Sequence, residues 1–125
     1  MKTLLVTISL LLSLVAVQAE ERSAKPKSFA TFWAEFKSAI AKNDKEAVAA
    51  ATHLPSIYPN NHQAKEAFLK DYPSIFTKTV RQCLATAKPS RTPDRDSYSV
   101  FCDEQYFYFG KVNGAYKFTD YGPND

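Results

Sequence analysis

Glycine is almost missing from this chain: there are 3 among 125 residues, and none precedes Gly110. A loop that cradles phosphate with backbone N–H groups needs several glycines close together, so neither a P-loop nor a dinucleotide-binding fingerprint can be placed. Histidine is as scarce, with His53 and His62 the 2 imidazoles. Their spacing fits no standard zinc motif, HExxH is absent, and no second cysteine pair exists to complete a thiolate site. No metal and no cofactor is expected. A G-x-S-x-G elbow is lacking too. Acid–base catalysis has little to draw on, because Glu35 and Asp44 form no recognisable pair and Asp94 and Asp96 flank Arg95 in a polar stretch. There is also no N-x-[ST] acceptor for glycosylation.

An excess of one charge is lacking as well. The 16 Lys and Arg stand against 13 Asp and Glu, and the signs are interspersed. The local excess in "KPSRTPDRDS" is diluted by its own aspartates. Nucleic-acid surfaces carry a stronger basic footprint than this, so no nucleic-acid partner is expected.

Long apolar runs are absent except for one, Leu4–Val17, preceded by Lys2 and followed by Val17-Gln18-Ala19 and the charged "EERSAK". A basic start, an apolar centre and small or branched residues at a cleavage site are the layout of a secretory signal peptide, with cleavage expected after Ala19. The rival reading, a membrane anchor, needs about 20 apolar residues, and the run is short for that. No cysteine follows it to carry a lipid. The expected organisation is a signal peptide over 1–19, a flexible arm over 20–27 and one α+β domain over 28–125, with no membrane span after cleavage and a secreted or periplasmic location.

The 2 cysteines, Cys83 and Cys102, form an even count in a chain read as exported, which favours a disulfide over two free thiols. Such a bridge would close a loop of about 20 residues and restrict the unfolded chain by about 3 kcal/mol.

Aromatics are plentiful. Phe29, Phe32, Trp33, Phe36 and Ile40 recur at i, i+3, i+4, i+7 and i+11, one stripe of an amphipathic helix with Ser28 as its N-cap. The cluster in "FWAEF" therefore reads first as the buried side of a helix. Trp33, whose indole N–H needs a partner, is the member expected at a pocket mouth. Asn43-Asp44 ends that helix, and Asp44 caps a second, alanine-rich one running to about His53, which Pro55 stops. "PSIYPNNH" is an irregular connection. A third helix starts near His62 or Gln63 and is expected to kink or break near Tyr72, before Pro73. The next places Phe76, Val80, Cys83, Leu84 and Ala87 on one stripe, and "KPSRTPD" is a loop by composition.

The last third changes period. Asn113-Gly114 between Val112 and Ala115 calls for a two-residue type I′ hairpin pairing Phe109 with Phe118. An earlier turn near Glu104-Gln105 would set Cys102 opposite Phe107 and Val100 opposite Phe109. Tyr98, Val100, Cys102, Phe107, Phe109 and Phe118 then share an inward face. Tyr106, Tyr108, Val112, Lys117, Thr119 and Tyr121 share the outer one. The expected fold is α+β, with three or four N-terminal helices packed on one face of a three-stranded antiparallel C-terminal meander. Helical spacing turns Cys83 inward, and strand alternation turns Cys102 to the same interior.

The order of an aromatic helix, an Asn-Asp break, a second helix ending in Leu-Pro, and then "FLKDYPSIF" resembles small exported bacterial proteins of unknown function, similar in outline to the NTF2-like α+β superfamily. The resemblance spans about residues 29 to 121. It implies helices on a curved antiparallel sheet with a pocket between them. It carries over no catalytic residue, because the acidic and histidine residues of NTF2-like enzymes find no match here.

The expected function is a non-catalytic binding or interaction module, working through Tyr106, Tyr108 and Tyr121 or through a shallow pocket near Trp33. Its partner would be an envelope or secreted protein, or a small apolar ligand. Two alternatives stand beside it: a small pocket hydrolase or isomerase with His53 or Glu35 as base, and an inhibitor of an envelope enzyme or toxin.

Overall fold

The computed structural model describes residues 26–123. The signal peptide, its cleavage after Ala19 and residues 20–25 of the arm lie outside the described residues. The chain folds as an α+β domain with helices α1 (Phe29–Ala41), α2 (Lys45–Ala50), α3 (Leu54–Ile57), α4 (Ala64–Ile75) and α5 (Lys78–Thr86), followed by strands β1 (Ser90–Arg91), β2 (Ser97–Cys102), β3 (Gln105–Val112) and β4 (Ala115–Pro123). The strands form one antiparallel sheet in the order β1-β2-β3-β4.

The first helix forms where its stripe requires. Ser28 Oγ accepts from Thr31 N, and Phe29, Phe32, Trp33, Phe36 and Ile40 are all buried. Asn43 takes the left-handed conformation at φ 53°, and Asp44 caps α2 through Ala47 N. α2 is shorter than expected and ends at Ala50. Pro55 then sits in the first turn of α3, where its missing N–H costs nothing. The helix does not break near Tyr72. α4 runs through Pro73 to Ile75, and Phe76 caps it. Burial of Phe68, Tyr72, Ile75 and Phe76 on one side outweighs the hydrogen bond that proline removes.

The Asn113-Gly114 hairpin forms as expected, with both residues at positive φ and Val112 paired with Ala115. The β2–β3 turn differs. Its corner is Asp103-Glu104, at φ 53° and 61°, so Cys102 faces Gln105, Val100 faces Phe107 and Tyr98 faces Phe109. The slip from the expected register is two residues. An even slip keeps every side chain on its face, which is why the inward set still holds. A further difference is β1, a two-residue strand on the far side of β2 that makes the sheet four-stranded.

One apolar core joins the layers. Phe36 meets Phe109 and Phe118 at ring-centroid distances of 5.2 and 6.0 Å, and Phe76 meets Phe107 and Phe118 at 5.8 and 5.6 Å. Cys83 and Cys102 are bonded, with S–S 2.06 Å and Cα atoms 5.8 Å apart, tying α5 to β2. The free edge of β4 is closed by the segment after α2: Phe118 N donates to Ala51 O and His53 N donates to Phe118 O, each at 2.8 Å. That covers the Phe118 backbone groups, which an exposed edge would offer to other chains. Among the described residues no helix is long and apolar enough to cross a membrane.

Candidate functional site

Two surfaces stand out. The first is a groove of about 470 Å³ where α1, α2 and the start of β4 meet. Phe32 and Phe36 supply its floor from α1. Ala47, Ala50 and Ala51 supply one wall, where the small side chains of α2 leave room. Ala115 and Tyr116 supply the other, and Pro26, Lys27, Glu35 and Lys117 ring the opening. Lys27 Nζ lies 2.6 Å from Glu35 Oε2, and both are exposed. Lys117 Nζ donates to Ala50 O at 2.7 Å and has no carboxylate partner among the described residues.

Tyr116 is held rigidly at this wall. Its hydroxyl donates to Asp96, which also pairs with Lys111 at 2.9 Å. Burial, and then the bond to Asp96, raise the proton affinity of Tyr116. The Tyr116 hydroxyl and Lys111 in turn lower that of Asp96.

The second surface is the helix-free face of the sheet. Phe101, Tyr106 and Tyr108 form a ladder across β2 and β3, with ring centroids 5.0 and 5.9 Å apart. Phe101 is 50% exposed and Tyr108 42%, the exposed large hydrophobic residues among those described.

The expected binding residues divide between these places. Tyr106 and Tyr108 are on the outer face as expected. Tyr121 is not. A bulge opposite Tyr108/Phe109 inserts Thr119, so Tyr121 pairs with Phe107 and stacks against Phe107 and Phe118 at 6.3 and 6.2 Å. One extra residue moves a side chain to the opposite face. The bulge is held by Ser56 Oγ reaching the Thr119 carbonyl at 2.5 Å, a long-range bond that no local pattern announces.

Trp33 is buried at 8% exposure and lines no part of the groove. Its ring packs edge-on to Phe109 at 5.4 Å, with the Lys37 ammonium 5.8 Å from the ring centroid. The groove is bordered instead by Phe32, one residue before it, at the floor and by Glu35 at the rim. Phe101 was missed, although alternation with the inward Val100 points it outward.

The candidate bases are not gathered into a catalytic arrangement. His53 precedes α3 with its backbone committed to β4, His62 is exposed in a turn, and Glu35 is ion-paired at the groove rim. No group of three or more His, Cys, Asp or Glu among the described residues could hold a metal ion. Tyr58 donates to Asp71 at 2.7 Å beneath α4; burial, and then this bond, raise its proton affinity. This pair braces α3 against α4.

Comparison with family models, with curated proteins and with solved structures finds no match to this chain.

Proposed function

We propose that the protein is a non-catalytic binding module of the envelope or the extracellular space, taking a small amphiphile in the α1–α2–β4 groove. The groove itself carries the reading. At about 470 Å³ it has the size of small-molecule sites, and its walls are apolar with few polar groups at the opening. The apolar body of the ligand lies on Phe32, Phe36 and the α2 alanines. Lys117, the rim cation without an acidic partner among the described residues, receives a carboxylate head. The location is supported by the Cys83–Cys102 bond and by the leader-like run Leu4–Val17.

Titration with a medium-chain fatty acid such as laurate tests this, read by calorimetry. Saturable binding is expected in the wild type and should be lost in Ala50→Phe, which fills the groove from an exposed helix position. Lys117→Gln should weaken the acid and leave the matching alcohol unaffected. Absent binding, or equal binding by Ala50→Phe, rejects the groove.

A second reading has its own observation. The exposed Phe101–Tyr106–Tyr108 ladder is the kind of contiguous aromatic surface that partner proteins cover. Replacing all three with serine should leave the fold intact by circular dichroism and release an envelope protein that the wild type retains. Equal retention by both rejects this reading.

A further inference from the structure

A second, smaller cavity lies between the α1–α2 corner and the α4–α5 corner. It measures about 250 Å³ and is lined by Asn43, Lys45, Tyr72, Thr77, Lys78 and Arg81, with Pro73 at its edge. We propose that it is a binding site for a phosphoryl dianion, either free phosphate or the head of a phosphomonoester.

Three observations converge. The first is charge. Two lysines and one arginine line the cavity, and no acidic residue lines it among the described residues. Asp44, whose negative charge acts on Tyr72, caps α2 through Ala47 N at 3.2 Å, and its single charge is outnumbered by the three cationic residues. A phosphate group carries a charge of about −1.5 to −2 at neutral pH, which three cations can neutralise.

The second is the Tyr72 hydroxyl. Tyr72 is 1% exposed, and its oxygen has no hydrogen-bond partner among the described residues. Buried polar groups nearly always have partners, and leaving one without is costly. Tyr72 is among the residues that line this basic cavity, and in the proposed complex a phosphoryl oxygen accepts its proton. Burial raises the proton affinity of that hydroxyl, so at neutral pH it is a donor and not a competing anion.

The third is backbone geometry. Thr77 caps α5, a helix of 9 residues, and its Oγ1 already accepts from Val80 N at 3.2 Å, which leaves its own O–H to donate. The first-turn N–H groups of α5 add the positive end of the helix at the same wall. Arg81 donates one N–H to the Phe76 carbonyl at 2.7 Å, which fixes the guanidinium while leaving other N–H groups for the ligand.

The cavity holds the volume of about eight waters at roughly 30 Å³ each, enough for a phosphoryl group and the first atoms of its ester but not for a nucleotide. It shares no lining residue with the amphiphile groove, so the two sites stand or fall separately.

The test is a titration of the purified, isotope-labelled protein with inorganic phosphate at constant ionic strength, followed by the backbone amide resonances of Thr77–Val80. Saturable shifts are expected that sodium chloride does not reproduce. Tyr72→Phe removes only the oxygen. It should weaken phosphate about tenfold or more while the melting temperature stays the same or rises, because a buried group without a partner has gone. A purely structural hydroxyl would not separate binding from stability in this way. Lys78→Ala, at an exposed position, should weaken binding without unfolding.

Two further arms identify the source. Glycerol phosphate binding with no retention on phosphatidic acid vesicles assigns a soluble ligand. Vesicle retention that Tyr72→Phe abolishes assigns a lipid headgroup. Shifts that fail to saturate, that chloride matches, or that persist unchanged in both variants overturn the proposal.

Discussion

Replacing Cys83 and Cys102 together with alanine removes the one covalent tie between the helical layer and the sheet. The bonded residues are 19 positions apart. Loop-closure entropy for a ring of that size gives about 3 kcal/mol of stabilisation through the unfolded chain. For a domain of roughly 100 residues, each kcal/mol moves the midpoint by about 4–8 °C, so the expected fall is about 12–24 °C. Cys102 is 1% exposed and packs in the core beside Val100 and Phe107, so its lost sulfur adds a small void that the alanine pair cannot hide. Reduction of the wild type breaks the ring without making that void. Thermal melts of the oxidised, reduced and double-alanine proteins therefore separate the two effects. The reduced form should carry most of the loss and the double variant slightly more. If reduced and oxidised proteins melt within a few degrees of each other, the ring does not restrain the unfolded chain as argued here.

Other perturbations have signs that the structure determines. Phe76→Ala deletes a ring fully enclosed by Phe36, Phe107 and Phe118, and should cost about 3–5 kcal/mol by denaturant titration; a loss under 1 kcal/mol would mean the site collapses freely. Glu104→Gly relieves a side-chain-bearing residue at φ 61° and should add about 0.5–1 kcal/mol, since the left-handed strain outweighs the entropy glycine brings to the unfolded chain. Destabilisation would show that the corner tolerates glutamate without strain. Tyr58 binds its proton more tightly when folded than the usual phenol value of about 10, so its contribution is complete below that pH and is lost as pH rises through it toward the folded value. Tyr58→Phe should flatten that alkaline decline in stability, and an unchanged slope would remove Tyr58 from the account.

What could be read from the chain was whatever a local period encodes. The α1 stripe repeats over three turns, and its five apolar members are the ones buried. Asn113-Gly114 demands one turn geometry, and that turn formed. Cys83 and Cys102 were each placed by their own element's period, and the two placements met in one bond. The misses share a different origin. Asp103 and Glu104 occupy left-handed backbone without a glycine, so composition does not mark the corner. Ser90 and Arg91 are too few to alternate. Pro73 stays inside a helix because residues on either side of it are buried by distant partners.

The candidate sites follow the same division. Tyr106 and Tyr108 lie on a regular part of β3, where strict alternation suffices. Tyr121 lies beyond a bulge at Thr119, whose carbonyl is met by Ser56 from sixty-three positions away, and the period ran through it unbroken on paper. Trp33 and Phe32 belong to the same stripe, and periodicity alone cannot say which of two neighbours borders a groove. That depends on where the alanines of α2 fail to fill space. The basic cavity is further still from any linear signal. Its residues come from two helix corners, and its organising atom is the hydroxyl of Tyr72, a side chain that the stripe of α4 assigns simply to the core. A ring buried for its apolar area carries its oxygen inward with it. Whether that oxygen is a defect or a donor is decided by whether an anion enters the basic cavity that Tyr72 lines, which is what the phosphate titration reads.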